Sequence, residues 1–301
     1  MPPTSTPAPT PCPAPSVPAN VLSIAGTDPT GGAGIQADLK TFGALGAYGM
    51  AVVTAVVAQN TQAVRVVSPL APELVQAQLE AVFEDVTVAA VKIGMVANAG
   101  IAEAIAEVLA RHRPPFVVFD PVMAASTHKR LMNESDLERI RTVLLPQVSL
   151  LTPNLKEAAR LLGIAQPVDE AGMRACLPAL QALGVPNVLL KGGHLADDAP
   201  DAPDAPDAPD APESTDLLAT PEGVIRLSAP RIATRHGHGT GCTLSSAIAA
   251  LWPQHGLEKA TRMAKDYVHG ALLHADALQV GHGRGPLHHF WQAVHLPGQL
   301  A

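Results

Sequence analysis

The chain has 301 residues, of which 47% are hydrophobic and only 16% are charged, enough apolar material for one large α/β domain or two smaller ones. Residues 197–213 account for the formal net charge of −7, because they hold seven acids and no Lys or Arg, and the other 20 acidic and 20 basic residues balance. With no basic excess and an aromatic content of 3%, a nucleic-acid-binding protein is excluded.

The cysteines and the hydropathy indicate a soluble cytoplasmic protein. Cys12, Cys176 and Cys242 are widely spaced and form no Cys-x-x-Cys pair, which is typical of reduced thiols. The first residues resemble no secretory signal, and no apolar run approaches the ~20 residues of a membrane span. We therefore expect no membrane partner.

Two proline-rich segments stand apart from the rest of the chain. Residues 1–20 contain eight prolines, and residues 197–213 form a near-perfect Asp-Ala-Pro repeat with five. Such compositions bury little apolar surface, and the aspartates of the repeat repel one another, so both segments are predicted to be disordered. We expect a tail over 1–20 and a single domain over 21–295 that the repeat interrupts.

Strands and helices alternate along this domain. Apolar runs predict strands at 21–26, 50–57, 88–93, 116–120, 148–151 and 187–191, and a hairpin near Asp216 and Val224. Helical periodicity predicts helices at 34–45, 72–83, 101–111, 137–145, 155–162, 172–183, about 240–252 and 257–279. Apolar strands separated by helices favour a mostly parallel sheet covered on both faces.

Polar and glycine-rich motifs follow the predicted strands. They are Gly26-Thr-Asp-Pro-Thr-Gly-Gly-Ala-Gly34, Gln59-Asn-Thr61, Lys92-Ile-Gly-Met95, Asp120-Pro-Val-Met123, Thr152-Pro-Asn154 and Lys191-Gly-Gly-His194. Sheets of this kind bind ligands outside the carboxyl ends of their strands. The motifs are therefore expected to share one edge and one site.

The segment His236-Gly-His-Gly-Thr-Gly-Cys-Thr-Leu-Ser-Ser246 predicts an anion site. Gly239, Thr240 and Gly241 allow close backbone approach, and the helix that follows presents unpaired N–H groups to an anion such as phosphate. Cys242 lies at the helix start, where the pKa of a thiol is lowered. The alternative for Cys242 is a small buried hydrophobe.

Two polar residues of the amino-terminal half suit a small substrate. Asp38 lies among apolar neighbours of a predicted helix and could accept hydrogen bonds from a substrate, or simply face solvent. The Gln59 amide both donates and accepts, which suits a heteroaromatic ring with an amino group, although capping of the strand end is the alternative. The histidines, including His236, His238, His288 and His289, are interpreted as loop and surface residues.

A second group suits magnesium and nucleotide phosphates. Asp120 ends a strand, and Glu157 follows Asn154 at the next strand-to-helix junction. The two acids could hold Mg²⁺, through water, while Asn154 caps the helix. Lys191 could reach a nucleotide phosphate, with solvation of the strand end as its alternative.

Taken together, these motifs resemble those of the hydroxymethylpyrimidine/phosphomethylpyrimidine kinases of thiamine biosynthesis. The resemblance rests on residues 21–42, Val57-Ala-Gln-Asn-Thr61, His238-Gly-Thr-Gly-Cys-Thr243, the other strand-end motifs and the closing Gly281-His-Gly-Arg-Gly-Pro-Leu-His-His-Phe290. It covers about 20–295 in order, without the repeat. One departure is Ala124-Ala-Ser-Thr-His-Lys-Arg130, where the family often has a Lys-Ser-Gly-Asp-like loop.

The resemblance implies a ribokinase-like three-layer α/β/α sandwich with a mostly parallel central sheet, usually a homodimer. It implies MgATP-dependent phosphorylation of 4-amino-5-hydroxymethyl-2-methylpyrimidine and then of its monophosphate. By the same resemblance, Gln59 recognises the pyrimidine and Cys242 lies next to the accepting hydroxyl. The implied pocket residues are Asp38, Gly26, Val57, Met95 and Val122; those for Mg²⁺ and nucleotide are Asp120, Asn154, Glu157 and Lys191; the anion hole is Gly239, Thr240 and Gly241.

Two other functions remain open at the level of sequence. A pyridoxal-type vitamin kinase shares the Gly-Thr-Gly-Cys turn and a flat heteroaromatic alcohol as substrate. A non-catalytic pyrimidine- or nucleotide-binding regulator would not need Asp120, Glu157, Lys191 and Cys242 together, which favours an enzyme.

Overall fold

An eight-stranded sheet forms the centre of the molecule in the computed structural model, which describes residues 17–123, 133–193, 195 and 213–292. Its order is β10-β9-β8-β7-β6-β5-β1-β2. The strands are β1 (Asn20–Ala25), β2 (Tyr48–Val53), β5 (Ala90–Ile93), β6 (Val117–Phe119), β7 (Leu150–Leu151), β8 (Asn187–Lys191), β9 (Glu213–Thr220) and β10 (Gly223–Pro230). Six of its strands run parallel to their neighbours: β1, β2, β5, β6, β7 and β8. The other two, β9 and β10, pair antiparallel at one edge of the sheet.

Helices cover both faces of the sheet. They are α1 (Gly34–Ala44), α2 (Pro72–Asp85), α3 (Ala99–His112), α4 (Glu134–Arg139), α5 (Leu155–Leu162), α6 (Glu170–Gln181) and α7 (Thr240–Leu273). Successive strand residues point to opposite faces, so Val21 packs with α1 and α7 while Leu22 packs with α2 to α6. The result is a three-layer α/β sandwich, as predicted. None of the helices in the described part of the chain is long and apolar enough to cross a membrane.

The prediction of one continuous strand over 50–57 is wrong, because the chain passes from one sheet to another at Thr54. The Thr54 hydroxyl donates to the carbonyl of Met95 at 2.6 Å, and β2 ends just before it. The next strand, β3 (Ala55–Gln59), pairs antiparallel with β4 (Val64–Pro69), which was not predicted. These two strands form a separate sheet beside the first glycine-rich loop, since Val57 N–H donates to Thr27 Oγ1 at 2.9 Å.

Several predicted boundaries also shift. The helix predicted at 137–145 starts earlier, as α4, and continues through a π-helical turn (Ile140–Leu144) and a 3-10 turn (Leu145–Gln147). The two helices predicted after residue 240 form α7, which kinks at Gly256 (φ 71°) and ends at Leu273. Most of the proline-rich segments lies outside the described residues. At their described ends, Asn20 belongs to β1 and Glu213 to β9, so these two residues are part of the sheet.

A buried ion pair joins the layers beneath the carboxyl edge of the sheet. Lys92 Nζ donates to both oxygens of Asp38, at 2.9 and 2.8 Å, and both side chains are 0% exposed. The hydroxyls of Ser23 and Ser246 donate to the same carboxylate at 2.6 and 2.7 Å. Burial acts to lower the Lys92 pKa, but Asp38 outweighs it and the pKa is raised. This network links β1, β5, α1 and α7.

Asp38→Ala is expected to lower the free energy of unfolding by about 3–5 kcal/mol, because it leaves the Lys92 charge buried without its partner. Chemical denaturation followed by circular dichroism measures the change. The matched control is Glu258→Ala, which removes an exposed i,i+4 pair with Arg262 and should cost less than about 1 kcal/mol. Equal effects of the two substitutions would contradict the prediction.

Candidate active site

The candidate active site lies at the carboxyl edge of the parallel strands, where α7 begins. Asp120 follows β6 and Lys191 ends β8. A Cβ atom placed on Gly241 would lie 3.2 Å from Asp120 Oδ2 and 3.1 Å from Lys191 Nζ. The glycine-rich turn and these two strand ends, far apart in sequence, therefore face each other directly.

The turn before α7 requires glycine at Gly239. Its φ of 87° lies in the left-handed region, which favours glycine, and a Cβ atom there would collide with the carbonyl oxygen of Gly32. The Thr240 hydroxyl donates to the carbonyl of Gly237 at 2.8 Å, which holds the turn. Because α7 begins at Thr240, the N–H groups of its first turn lack intrahelical acceptors and form a site for an anion.

One half of the site is charged. Lys191 Nζ donates to Asp120 Oδ1 at 2.7 Å, and their side chains are only 15% and 3% exposed. The Thr152 hydroxyl donates to the same oxygen at 3.3 Å. Burial acts to lower the pKa of Lys191, but Asp120 and Glu157 outweigh it and the pKa is raised. Lys191 is therefore a cation at neutral pH.

Asn154 and Glu157 form a reciprocal cap at the start of α5. Asn154 Oδ1 accepts from Glu157 N–H at 2.9 Å, and Glu157 Oε2 accepts from Asn154 N–H at 2.8 Å, which confirms the capping predicted for Asn154. Burial, aided by Asp120 and opposed by Lys191, raises the pKa of Glu157 to about 7. A cation bound nearby would favour the charged form of this carboxyl.

The acids of the charged half fit a hydrated magnesium ion. Asp120 directs Oδ2 towards Gly241 while Oδ1 bonds to Lys191. Within the described ranges, no group of three or more His, Cys, Asp or Glu side chains is arranged to hold a metal. Mg²⁺ commonly keeps several waters and takes one or two carboxylates plus phosphate oxygens. Asp120 and Glu157 suit that arrangement rather than a cage made of protein ligands alone.

The pKa of Cys242 is raised, contrary to the sequence expectation. Burial is the main cause, with Asp38 and Asp120 adding to it and Lys92 opposing it, and together they raise the pKa of the thiol to about 11. The backbone amide of Gly34 also acts to lower this pKa. Burial therefore outweighs the lowering of the pKa that was expected from the helix start, and the thiol is protonated at neutral pH.

Asp38 does not line an open pocket. Its carboxylate is fully buried and already accepts hydrogen bonds from Lys92, Ser23 and Ser246. Both sequence interpretations, a substrate contact and a solvated helix face, are therefore corrected. Asp38 lies below the site and holds Lys92.

The apolar half of the site brings together three of the residues that the resemblance assigned to the substrate pocket, Gly26, Met95 and Val57. A Cβ atom on Gly26 would collide with Met95 Cε and lie 3.7 Å from Val57 Cγ2. Gln59, half-buried at the end of β3, lines a surface cavity of about 230 Å³. Val122 lies in the loop after β6 and is half-buried.

Four residues of the site and its surroundings were missed or misjudged from the sequence. Asp28 is fully buried inside the first glycine-rich loop, and an acid among glycines was the signal. Lys92 lies within the buried apolar strand β5, where a charge needs a partner. His238 and His289 are buried, 9% and 4% exposed, so the surface interpretation is wrong for both. Burial, with Lys40 and His288 adding to it, lowers the pKa of His289 to about 4.

Known proteins share this sequence and fold. The family model described as phosphomethylpyrimidine kinase matches residues 28–288. The hydroxymethylpyrimidine/phosphomethylpyrimidine kinase of Salmonella typhimurium is 52% identical over 272 residues, which cover 90% of this chain and 97% of that protein. Its counterpart in Escherichia coli is 50% identical with the same coverage.

Solved structures of vitamin kinases are also similar to this chain. Phosphomethylpyrimidine kinase from Clostridium difficile 630 is 37% identical, with a TM-score of 0.70 over 84% of this chain and 99% of that one. Pyridoxal kinase from Staphylococcus aureus in complex with ADP is 29% identical, with a TM-score of 0.80 over 93% and 96%. These neighbours confirm the ribokinase-like fold. The family model matches most of the chain, and relatives of nearly equal length are about half identical to it. This chain therefore belongs to the phosphomethylpyrimidine kinase family.

Proposed function

We propose that this chain is a cytoplasmic enzyme that phosphorylates 4-amino-5-hydroxymethyl-2-methylpyrimidine, and then its monophosphate, with MgATP in thiamine biosynthesis. The observation that carries the proposal is the placement of Gly241 against Asp120 and Lys191, with Cys242 next in the chain. This arrangement puts an anion hole between a charged half and a thiol. The free thiols of Cys176 and Cys242 support a reducing compartment.

The apolar half supplies the pyrimidine pocket. Gly26, Met95 and Val57 contact one another and supply an apolar wall for a flat ring. The Gln59 amide at the end of β3 donates to a ring nitrogen and accepts from the ring amino group, and Val122 closes the pocket from the loop after β6. A ring held in this way directs its hydroxymethyl group towards Cys242.

The charged half supplies the nucleotide site. Lys191 pairs with a phosphate in place of Asp120, and Asn154 presents its amide at the same edge. Asp120 and Glu157 would hold a hydrated Mg²⁺, whose charge would stabilise the transferring phosphoryl group when the ion is bound. Gly239, Thr240 and Gly241 place backbone N–H groups around the same oxygens.

Cys242 orients the acceptor hydroxyl as a neutral thiol. With a pKa of about 11, it carries its own proton at neutral pH and offers no free thiolate to receive another. A loose phosphoryl-transfer transition state demands little removal of the hydroxyl proton before transfer. Positioning by the thiol and charge stabilisation by the turn are therefore sufficient.

The purified chain is expected to phosphorylate the hydroxymethylpyrimidine and its monophosphate with MgATP, in a coupled assay of ADP release. Lys191→Ala should lower kcat by about 10²–10³-fold, because a cation that stabilises transition-state charge is lost. Lys259→Ala, on the exposed side of α7, is the matched control and should change nothing.

Pyridoxal is assayed in parallel, because pyridoxal kinases are among the structural neighbours. Turnover of pyridoxal in place of both pyrimidines would replace the proposed substrate. Absence of turnover with all three substrates would contradict a kinase function.

Alkylation of Cys242 by iodoacetamide at pH 8 should be about 100-fold slower than alkylation of a short cysteine peptide, because a thiol with a pKa of about 11 is rarely ionised there. The rate should rise with pH until the pH passes the pKa. Mass spectrometry of the peptide that contains Cys242 measures it. A rate equal to that of the free peptide would contradict the protonated thiol.

We also propose that the chain forms a homodimer through the sheet of β3 and β4. Val56 pairs across the strands with Ser68, and Ala58 with Val66, and all four side chains are exposed on one face. Val56 and Val66 are 53% and 56% exposed. A two-stranded sheet is marginally stable alone, so coverage of this apolar face by a second copy would stabilise it.

Val66→Asp is expected to shift the mass measured by light scattering from dimer to monomer, because it places a charge in the apolar interface. The matched control is Val224→Asp on β10, where Val224 is 43% exposed and far from that face. A monomeric wild type, or a dimer that Val66→Asp leaves intact, would contradict the homodimer.

A further inference from the structure

The first glycine-rich loop is held together by Asp28. Its Oδ1 accepts from the Thr30 N–H at 2.9 Å and from the Thr30 hydroxyl at 2.8 Å. Its Oδ2 accepts from the N–H groups of Gly32 and Ala33 at 3.1 and 2.8 Å. Since the side chain is 0% exposed, these contacts replace the water that the carboxylate loses on folding.

A fifth donor to Asp28 comes from a distant part of the chain. His238 Nε2 lies 2.8 Å from Asp28 Oδ2, across 210 positions of sequence, and His238 directly precedes Gly239 of the anion hole. The backbone N–H of His238 donates to the carbonyl of Gly285 at 3.1 Å. His238 is therefore anchored at its backbone as well as at its ring.

The two glycine-rich loops touch at the level of their backbones. A Cβ atom on Gly32 would lie 2.7 Å from His238 Cδ2, and one on Gly239 would collide with the carbonyl oxygen of Gly32. Gly239 is followed by Thr240, Gly241 and Cys242, the first residues of α7. A shift of the first loop would therefore move the wall of the anion hole that Gly32 forms against Gly239.

We infer that His238 is a positioning residue, whose imidazole holds Asp28 and thereby sets the first glycine-rich loop in register with the anion hole and Cys242. The inference rests on the proposed kinase function, since register matters only where a phosphoryl group and an acceptor must be aligned. His238 touches neither substrate; it acts through Asp28, Gly32 and Gly239.

The electrostatics of the pair agree with this role. Burial acts to raise the pKa of Asp28, but hydrogen bonds from His238 and Thr30 outweigh it and the pKa is lowered. Asp28 is thus a carboxylate throughout the neutral range, and its four contacts within the loop remain in place. What His238 adds is the connection between the two loops.

The test compares His238→Ala with His238→Gln, since the glutamine amide can supply an N–H donor at about the position of the imidazole Nε2. His238→Ala should lower kcat for the pyrimidine by about 10²-fold with little change in either KM, because misalignment costs rate more than binding. His238→Gln should recover most of that loss. His255→Ala is the control, because His255 lies at the surface of α7 beside Gly256, well along the helix from both glycine-rich loops; it should behave as wild type.

Two further measurements separate positioning from stability. Thermal unfolding of each variant fixes the assay temperature well below every Tm, so that all variants are folded. Alkylation of Cys242 by iodoacetamide should be faster in His238→Ala than in His238→Gln, because the turn that precedes the thiol is then no longer held against the first loop. This readout needs no substrate.

The outcomes are distinct. If the wild type turns over no substrate, the proposed function fails; the alkylation rates still test the connection between the loops. If the wild type is active, equal kcat values for His238→Ala and wild type overturn the inference. Equal losses in His238→Ala and His238→Gln overturn it as well, because they would make the ring's packing, rather than its hydrogen bond, the relevant property.

Discussion

The buried Asp38–Lys92 pair is the interaction on which the site depends. Both groups are withdrawn from water, and their attraction offsets that cost only because Ser23 and Ser246 complete the hydrogen bonding. The four residues lie on β1, β5, α1 and α7. The pair therefore fixes the starts of the two helices relative to the sheet, and Gly34, Gly239 and Cys242 all belong to those starts.

Above this pair the site divides into an apolar and a charged half. Gly26, Val57 and Met95 are uncharged and contact one another, whereas Asp120, Lys191 and Glu157 form a cluster whose charges perturb one another. The start of α7 faces the charged cluster at Gly241. In the proposed function, a neutral ring and an anionic donor would meet at this turn of backbone N–H groups, which suits phosphoryl transfer by positioning and charge stabilisation.

The sequence predicted the charged half better than the thiol and its surroundings. Asp120, Asn154, Glu157 and Lys191 follow strands that the apolar pattern identifies, and parallel strands bring their carboxyl ends to one edge. The pKa of Cys242 was predicted in the wrong direction because the helix start is a local feature, whereas burial and the carboxylates of Asp38 and Asp120 come from elsewhere in the fold. The strand β4 was missed because its partner β3 leaves the main sheet at Thr54, a change that periodicity does not record.

By itself the sequence determined the fold class, the order of strands and helices, the glycine-rich turns and the strand ends that carry the chemistry. These follow from local patterns of apolar residues, glycine and proline. Only the tertiary structure decided that Asp38 is buried under the site, that the Cys242 thiol stays protonated and that His238 reaches Asp28. Each of these depends on desolvation and on partners up to 210 positions apart, which no local pattern of residues encodes.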